Sequence, residues 1–166
     1  MDSHALLAEL PRLRRYARAL VGERSVADDL VQDTLERAWA RHGQWRADGE
    51  LRTWLFAIMH NLRMDQLRKP RLECVPLDED VAEVPVRASQ SDGMELADLA
   101  AALAQLPEEQ RAVLLLVTLE DMRYADVAST LGIAVGTVMS RLSRGRERLR
   151  QILAGEAPSP HLRVVR

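Results

Sequence analysis

A single cysteine, Cys74, in 166 residues excludes an internal disulfide and any zinc cluster built on several thiolates. The four histidines, His4, His42, His60 and His161, lack the i, i+4 spacing of a metal-binding helix, so no metal site is expected. Aromatic residues make up 4% of a chain that is 47% hydrophobic, which leaves the core to aliphatic side chains, chiefly Leu and Ala, and favours helices. No apolar run approaches the ~20 residues needed to cross a bilayer, and the N-terminus lacks the basic-then-apolar order of a signal peptide. A cytoplasmic protein with no membrane insertion of its own is expected. There is no glycine-rich phosphate loop, no GxSxG elbow and no other catalytic constellation, so neither an enzyme nor a cofactor is expected.

The net charge of −2 conceals a strong asymmetry. Residues 136–166 hold seven Lys+Arg against two Asp+Glu, whereas residues 71–100 hold two against eight. The basic end therefore suits an anionic partner although the whole chain does not.

Leu6, Leu7, Leu10, Leu13, Tyr16, Ala17 and Leu20 recur at helical steps, with Pro11 marking a start or kink and Gly22 an end. A second helix is expected from Ser25 as its N-cap, with Asp28 and Asp29 in its first turn. Its buried face would be Leu30, Val31, Leu35, Ala38 and Trp39, leaving Asp28, Gln32, Asp33, Glu36 and Arg37 outward as a solvated face or a dock for a basic partner. The loop at 43–50, GQWRADGE, sets Trp45 beside Arg46, where the ring is either a core anchor or a stacking platform for an exposed base.

Residues 51–69 form a third helix with Trp54, Leu55, Ile58, Met59, Leu62 and Leu67 toward the core. Its polar face, His60, Asn61, Arg63, Asp65, Gln66, Arg68 and Lys69, mixes amide donors with cations as a nucleic-acid surface does, although a solvated face has the same composition. Pro70 stops it, and residues 71–92 lose periodicity in an acidic stretch read as a flexible linker. Order returns at Met94 with the stripe Leu96, Leu99, Ala100, Leu103 and Leu106. Pro107, Glu108 and Glu109 suit the first turn of a helix whose apolar run at 113–119 marks a buried centre.

Val127, Ala128 and Leu131 share one helical face, Gly132 interrupts it, and Ile133, Val138 and Leu142 begin another: a helix-turn-helix. The second of these helices carries Arg141, Arg144, Arg146, Arg148 and Arg150, opposed only by Glu147. An arginine array on a helix after a tight turn supplies guanidinium forks for phosphates and base edges on a rod that fits the major groove. A solvated basic face would need the array but not the turn.

Four segments, ADDLVQDTLERAW at 27–39, LRTWLFAIMHNLRMDQLR at 51–68, LPEEQRAVLLL at 106–116 and YADVASTLGIAVGTVMSRLSRGRERLR at 124–150, match one family in order and spacing. The chain resembles a bacterial extracytoplasmic-function (ECF) sigma factor. The resemblance implies an all-α fold of two small helical domains: region 2 at 1–70, an acidic flexible linker at 71–92, region 4 at 93–155 and a tail at 156–166. It implies that Asp28, Asp29, Gln32, Asp33 and Leu35 face the β′ clamp helices of core RNA polymerase. Trp45, Arg46, Asn61, Arg63, Asp65, Gln66, Arg68 and Lys69 would engage the minus-10 element, with Asn61 at a base-contacting position. Thr137, Met139, Ser140, Arg141, Ser143, Arg144 and Arg146 would meet the minus-35 duplex, while region 4 reaches the β flap. Promoter DNA and an anti-sigma factor are the other implied partners, in a stress-response setting.

Three residues depart from the family pattern. Met139 stands where Lys or Arg is usual, Ala134 where Ser or Pro often starts the recognition helix, and Arg123 where a small polar residue precedes the tyrosine. The competing reading is a sigma mimic that occupies an anti-sigma factor, a class joined to a receiver domain for which this length is expected to leave no space. A repressor or activator using the helix-turn-helix alone would be expected to dimerise on palindromic half-sites.

Overall fold

A computed structural model describes residues 3–45, 50–69 and 90–156, with side chains from 93 onward in the last segment. The described residues are helical throughout their regular structure: α1 Ser3–Val21, α2 Arg24–Ala40, α3 Leu51–Arg68, α4 Gln90–Ala104, α5 Glu108–Thr118, α6 Tyr124–Leu131 and α7 Val135–Leu153, with a 3-10 turn at His42–Gln44. The all-α expectation holds.

The first core comes from Leu13, Tyr16, Ala17 and Leu20 of α1, Ala27, Leu30, Val31 and Ala38 of α2, and Leu55, Phe56, Ile58 and Met59 of α3. Tyr16 meets Phe56 edge-on, with ring centroids 5.1 Å apart and an interplanar angle of 83°. Such a pair contributes ~0.5–1.5 kcal/mol beyond its burial. Burial first, and then the nearby Glu108 and Glu120 carboxylates, push the Tyr16 phenol far above its ordinary range, so it stays neutral.

Pro11 lies inside an unbroken α1, and Gly22 follows it at φ +83°. The expected Ser25 cap is not formed. The helix starts at Arg24 after Glu23, the Ser25 hydroxyl donates to the Glu23 carboxylate, and Asp28 and Asp29 fall beyond the first turn. Trp39 is 56% exposed rather than core, because one step beyond buried Ala38 turns it about 100° around the helix. Leu67 is likewise exposed.

Leu103 of α4, Leu106, residues 112–116 of α5, Val127, Ala128 and Leu131 of α6, and Val138 and Leu142 of α7 continue the core. α4 begins three residues ahead of the expected boundary at 93, through Gly93, and its first half leaves Met94, Leu96 and Leu99 exposed. Of the stripe read there, Leu103 and Leu106 are buried and Ala100 is exposed with the rest. Residues 70–89, with Cys74 and most of the expected linker, lie outside the described residues, as does 157–166 of the tail.

The two helical groups pack on each other, α6 against α3 and α4 and α5 against α1. Arg63 of α3 donates to Glu108 of α5 at 2.7 Å, with side chains only 14% and 18% exposed. Arg15 of α1 bonds one carboxylate oxygen of fully buried Glu120 at 2.8 and 3.1 Å, and Arg52 donates to the Glu120 carbonyl at 3.3 Å. Buried Arg111 donates to the carbonyls of Leu103, Ala104 and Leu106 and, across the groups, to that of Leu20 at 2.6 Å. A buried guanidinium retained only where its donors are satisfied fixes the register of α5 against the end of α1.

Candidate nucleic-acid and polymerase interfaces

Gly132 closes α6 in the left-handed region, φ +64° and ψ +38°, where a side chain would be strained. Its N–H and that of Ile133, at 3.0 Å, both donate to the Ala128 carbonyl, so the chain reverses within three residues. α7 then starts after Ala134, which offers no side-chain cap. Val138, Leu142 and Gly145 are the buried edge of α7. The opposite arc is thereby forced outward.

On that arc Met139, Ser140, Ser143, Arg144 and Arg146 are exposed, and Thr137 is half-buried. The five arginines do not form one uniform array. Arg141 is paired with Glu109 of α5 at 3.1 Å, and Arg150 with Glu147 at 2.9 Å and Glu156 at 3.3 Å. Those two carboxylates hold the Arg150 guanidinium well above its ordinary range, and Arg150 in turn holds the Glu147 carboxyl down. Arg148 is half-buried, with an enclosed Nε that has no partner among the described residues. Arg144 and Arg146 carry no ion pair among the described residues, so these two are the cations α7 presents to an anionic ligand. A groove of about 430 Å³ beside them is lined by Tyr124 of α6 with Met139, Ser143 and Arg146.

α2 exposes Asp28, Asp29, Gln32 and Asp33, with Leu35 half-buried beneath them. Asp28 is shared by Arg18 at 3.6 Å and Arg24 at 3.9 Å, while Gln32 donates to Glu36 at 3.0 Å. Asp29 and Asp33 have no ion pair among the described residues, nor has Glu36, which accepts only the Gln32 amide.

The polar face of α3 is divided. Asn61, Asp65, Arg68 and Lys69 are exposed, and Gln66 is half-buried with an enclosed amide oxygen lacking a partner among the described residues. Arg63 was expected outward, but it faces α5 because Glu108 lies within bonding reach. His60 is half-buried beside it; burial, and secondarily Arg141, lowers its pKa against the opposing pull of Glu108 and Glu109. Trp45 is half-buried at the end of the 3-10 turn, with its indole N–H enclosed and unpartnered among the described residues. Arg46 lies outside the described residues. An open groove of about 770 Å³ joins Asp33 and Arg37 of α2 to Asp65, Gln66 and Arg68 of α3, so the acidic face and the mixed face are continuous.

Comparison with known proteins identifies the family to which these helices belong. Residues 6–60 match the family described as the Sigma2 domain of PhyR, and residues 96–149 match Sigma-70, region 4. The ECF RNA polymerase sigma factor EcfG of Rhodopseudomonas palustris is 39% identical over 149 residues, which span 89% of this chain and 82% of EcfG. The chain belongs to the ECF sigma factor family. Sigma factors are transcription initiation factors and not enzymes in themselves.

Two solved structures share the fold of this sigma factor. RpoE from Bartonella quintana, in complex with the anti-sigma factor NepR, superposes with a TM-score of 0.71 at 32% identity, covering 92% of this chain and 96% of RpoE. CnrH, in complex with the cytosolic domain of CnrY, gives a TM-score of 0.69 at 27% identity, covering 92% and 86% of the two chains. No helix among the described residues of the sigma factor is long and apolar enough to cross a membrane, and no cluster of three or more His, Cys, Asp or Glu there could hold a metal ion.

The residues that sequence reasoning missed are those joining the helical groups. Glu108 was read only as a helix-start acid and Glu120 not at all, yet each anchors an arginine from another element. The signal available was an unusual density of arginine in α1 and α3, which does not name a partner. Trp39, exposed and tilted over His42 at 5.9 Å, had no sequence signal separating it from the buried stripe.

Proposed function

We propose that this sigma factor docks on core RNA polymerase through the outward face of α2, with Asp29, Gln32 and Asp33 meeting the β′ clamp helices, and carries promoter specificity on α3 and α7. Residues 1–70 act as the unit that docks and engages the minus-10 element, with Asn61 contacting a base and Gln66, Arg68 and Lys69 along the strand. Residues 93–155 act as the minus-35 unit, which also reaches the β flap; Ser140, Ser143 and Arg144 read the duplex edge, and Thr137 and Arg146 lie nearer phosphate. Capturing a base that has left the stack offsets an unstacking cost of a few kcal/mol, so opening needs no ATP. The factor works where the polymerase is, in the cytoplasm.

The observation that carries this reading is the exposed pair Arg144 and Arg146 beside Ser140 and Ser143 on the second helix of the helix-turn-helix, in a chain that also exposes an unpaired carboxylate pair on α2. Arg63 and Arg141 are engaged by Glu108 and Glu109. Arg63 becomes a DNA contact only when α5 parts from α3, and Arg141 only when it exchanges Glu109, a partner within its own helical group, for phosphate. An anti-sigma factor is the natural regulator, in keeping with the complexes in which RpoE and CnrH were solved.

Asp33→Arg tests the docking face. It should abolish co-purification with core polymerase while circular dichroism and thermal unfolding stay as in the parent, and undiminished core affinity would refute the assignment.

A second reading draws on the match of residues 6–60 to the Sigma2 domain of PhyR, which favours a sigma mimic that binds only an anti-sigma factor. Binding to an anti-sigma factor without binding to core would select it.

A further inference from the structure

We propose that Met139 makes this sigma factor a reader of thymine, through the 5-methyl group, in the duplex half of its promoter. The inference rests on the assignment of α7 to the minus-35 duplex. Met139 is 54% exposed in the second turn of α7, one turn after Val135, which is 42% exposed, and one turn before exposed Ser143. Tyr124, itself exposed, closes the groove from α6, and Arg146 stands beside it. An apolar strip is thus held open to solvent beside Arg146, which has no ion pair among the described residues, in a groove lined also by the ion-paired Glu147 and Arg150.

The chemistry of the occupant follows from that combination. A B-DNA major groove is anionic at its rims, and on its floor the thymine methyl is the distinct apolar group. A thioether has no donor with which to fork onto guanine O6 and N7 or cytosine, and no strong acceptor for adenine N6. It is flexible and polarizable, which suits a shallow contact with a methyl group. A protein surface apolar enough to cover Met139 would leave the Arg144 and Arg146 guanidiniums facing it without phosphates. Charge complementarity therefore favours the duplex.

The test uses the full chain assembled on core polymerase. A pool of duplexes with a randomised upstream element is enriched for binding, and the winning element is resynthesised with each thymine replaced in turn by deoxyuridine, which lacks only the methyl. At one or two positions the replacement should weaken binding about fourfold, the value of one buried methyl-sized group. Met139→Ala should bind the parent element as weakly as the wild type binds the uracil form, and its thymine-to-uracil ratio should fall to about one. Met139→Leu should keep most of the ratio, and Met139→Arg should move the enriched base at that position from thymine to guanine. Because Met139 is exposed, none of these variants removes core packing. Uracil tolerated at every position, or a methyl dependence unchanged in Met139→Ala, would overturn the proposal. So would a Met139→Ala variant that loses a protein partner but keeps its DNA affinity. Enrichment of no duplex element at all would instead fell the minus-35 assignment, and this proposal with it.

Discussion

The pair between Arg63 and Glu108 should contribute a measurable share of stability, and its magnitude follows from its geometry. The bond is short, 2.7 Å from Nε to Oε1, with a longer second contact at 3.5 Å, and Arg111 shares the same carboxylate at 3.3 Å. A charged hydrogen bond contributes ~1.5–3 kcal/mol, and stripping one partner from a fully buried pair costs ~3–5 kcal/mol. With side chains 14% and 18% exposed, water reaches both groups in part, which moves the expectation below the fully buried case. Glu108→Ala should therefore lose roughly 2 kcal/mol, or ~4–8 °C in midpoint for a chain of this size. Arg63→Ala alone should cost less, and the double variant little more than Glu108→Ala, giving a coupling energy of about 1–2 kcal/mol by urea unfolding. Additive losses, with coupling under about 0.5 kcal/mol, would place the pair with ordinary surface ion pairs and refute the view that it clamps α5 to α3.

Three further outcomes are expected. His60 has a folded pKa below its ordinary 6.5, so the unfolded chain binds more protons as pH falls. Stability should be complete above about pH 6.5 and decline as pH drops through the lower folded value, and His60→Gln should flatten that decline in urea midpoints between pH 7 and 5. Gly132→Ala forces a side chain into the left-handed region and should cost ~1–2 kcal/mol in denaturant unfolding with an unchanged m value; an unaltered midpoint would show that the turn tolerates another geometry. Arg144→Ala should weaken the preferred minus-35 duplex by ~1–3 kcal/mol relative to a scrambled one in competition binding, whereas equal weakening on both would make Arg144 a phosphate contact.

The parts of the fold written in local sequence were readable. Gly132, with apolar residues spaced around it, marked the helix-turn-helix, and the acids at 108 and 109 marked the start of α5 where the structure has it. Local rules failed where two outcomes satisfied them equally. Ser25 offers a capping hydroxyl, but Glu23 sits two residues earlier and takes it, so α2 begins sooner than read. Trp39 and Leu67 fit the helical stripe, yet neither is buried, and periodicity cannot show where a neighbouring helix ends. Long-range pairing was the least visible. Arg63 and Asn61 look alike as members of one polar face, and only the approach of Glu108, 45 residues away, separates the engaged cation from the exposed amide. The same holds for the arginines of α7, of which Arg141 is tied to α5 and Arg144 is not.

The central claim is that one chain joins polymerase docking to promoter recognition, and run-off transcription tests it most directly. Core polymerase supplied with the purified sigma factor should give a defined transcript from a template carrying the enriched duplex element and its downstream minus-10 segment. The transcript should disappear with Asp33→Arg and fall sharply with Asn61→Ala. A transcript level no higher than that of core polymerase alone, on every template enriched for binding, would contradict the account.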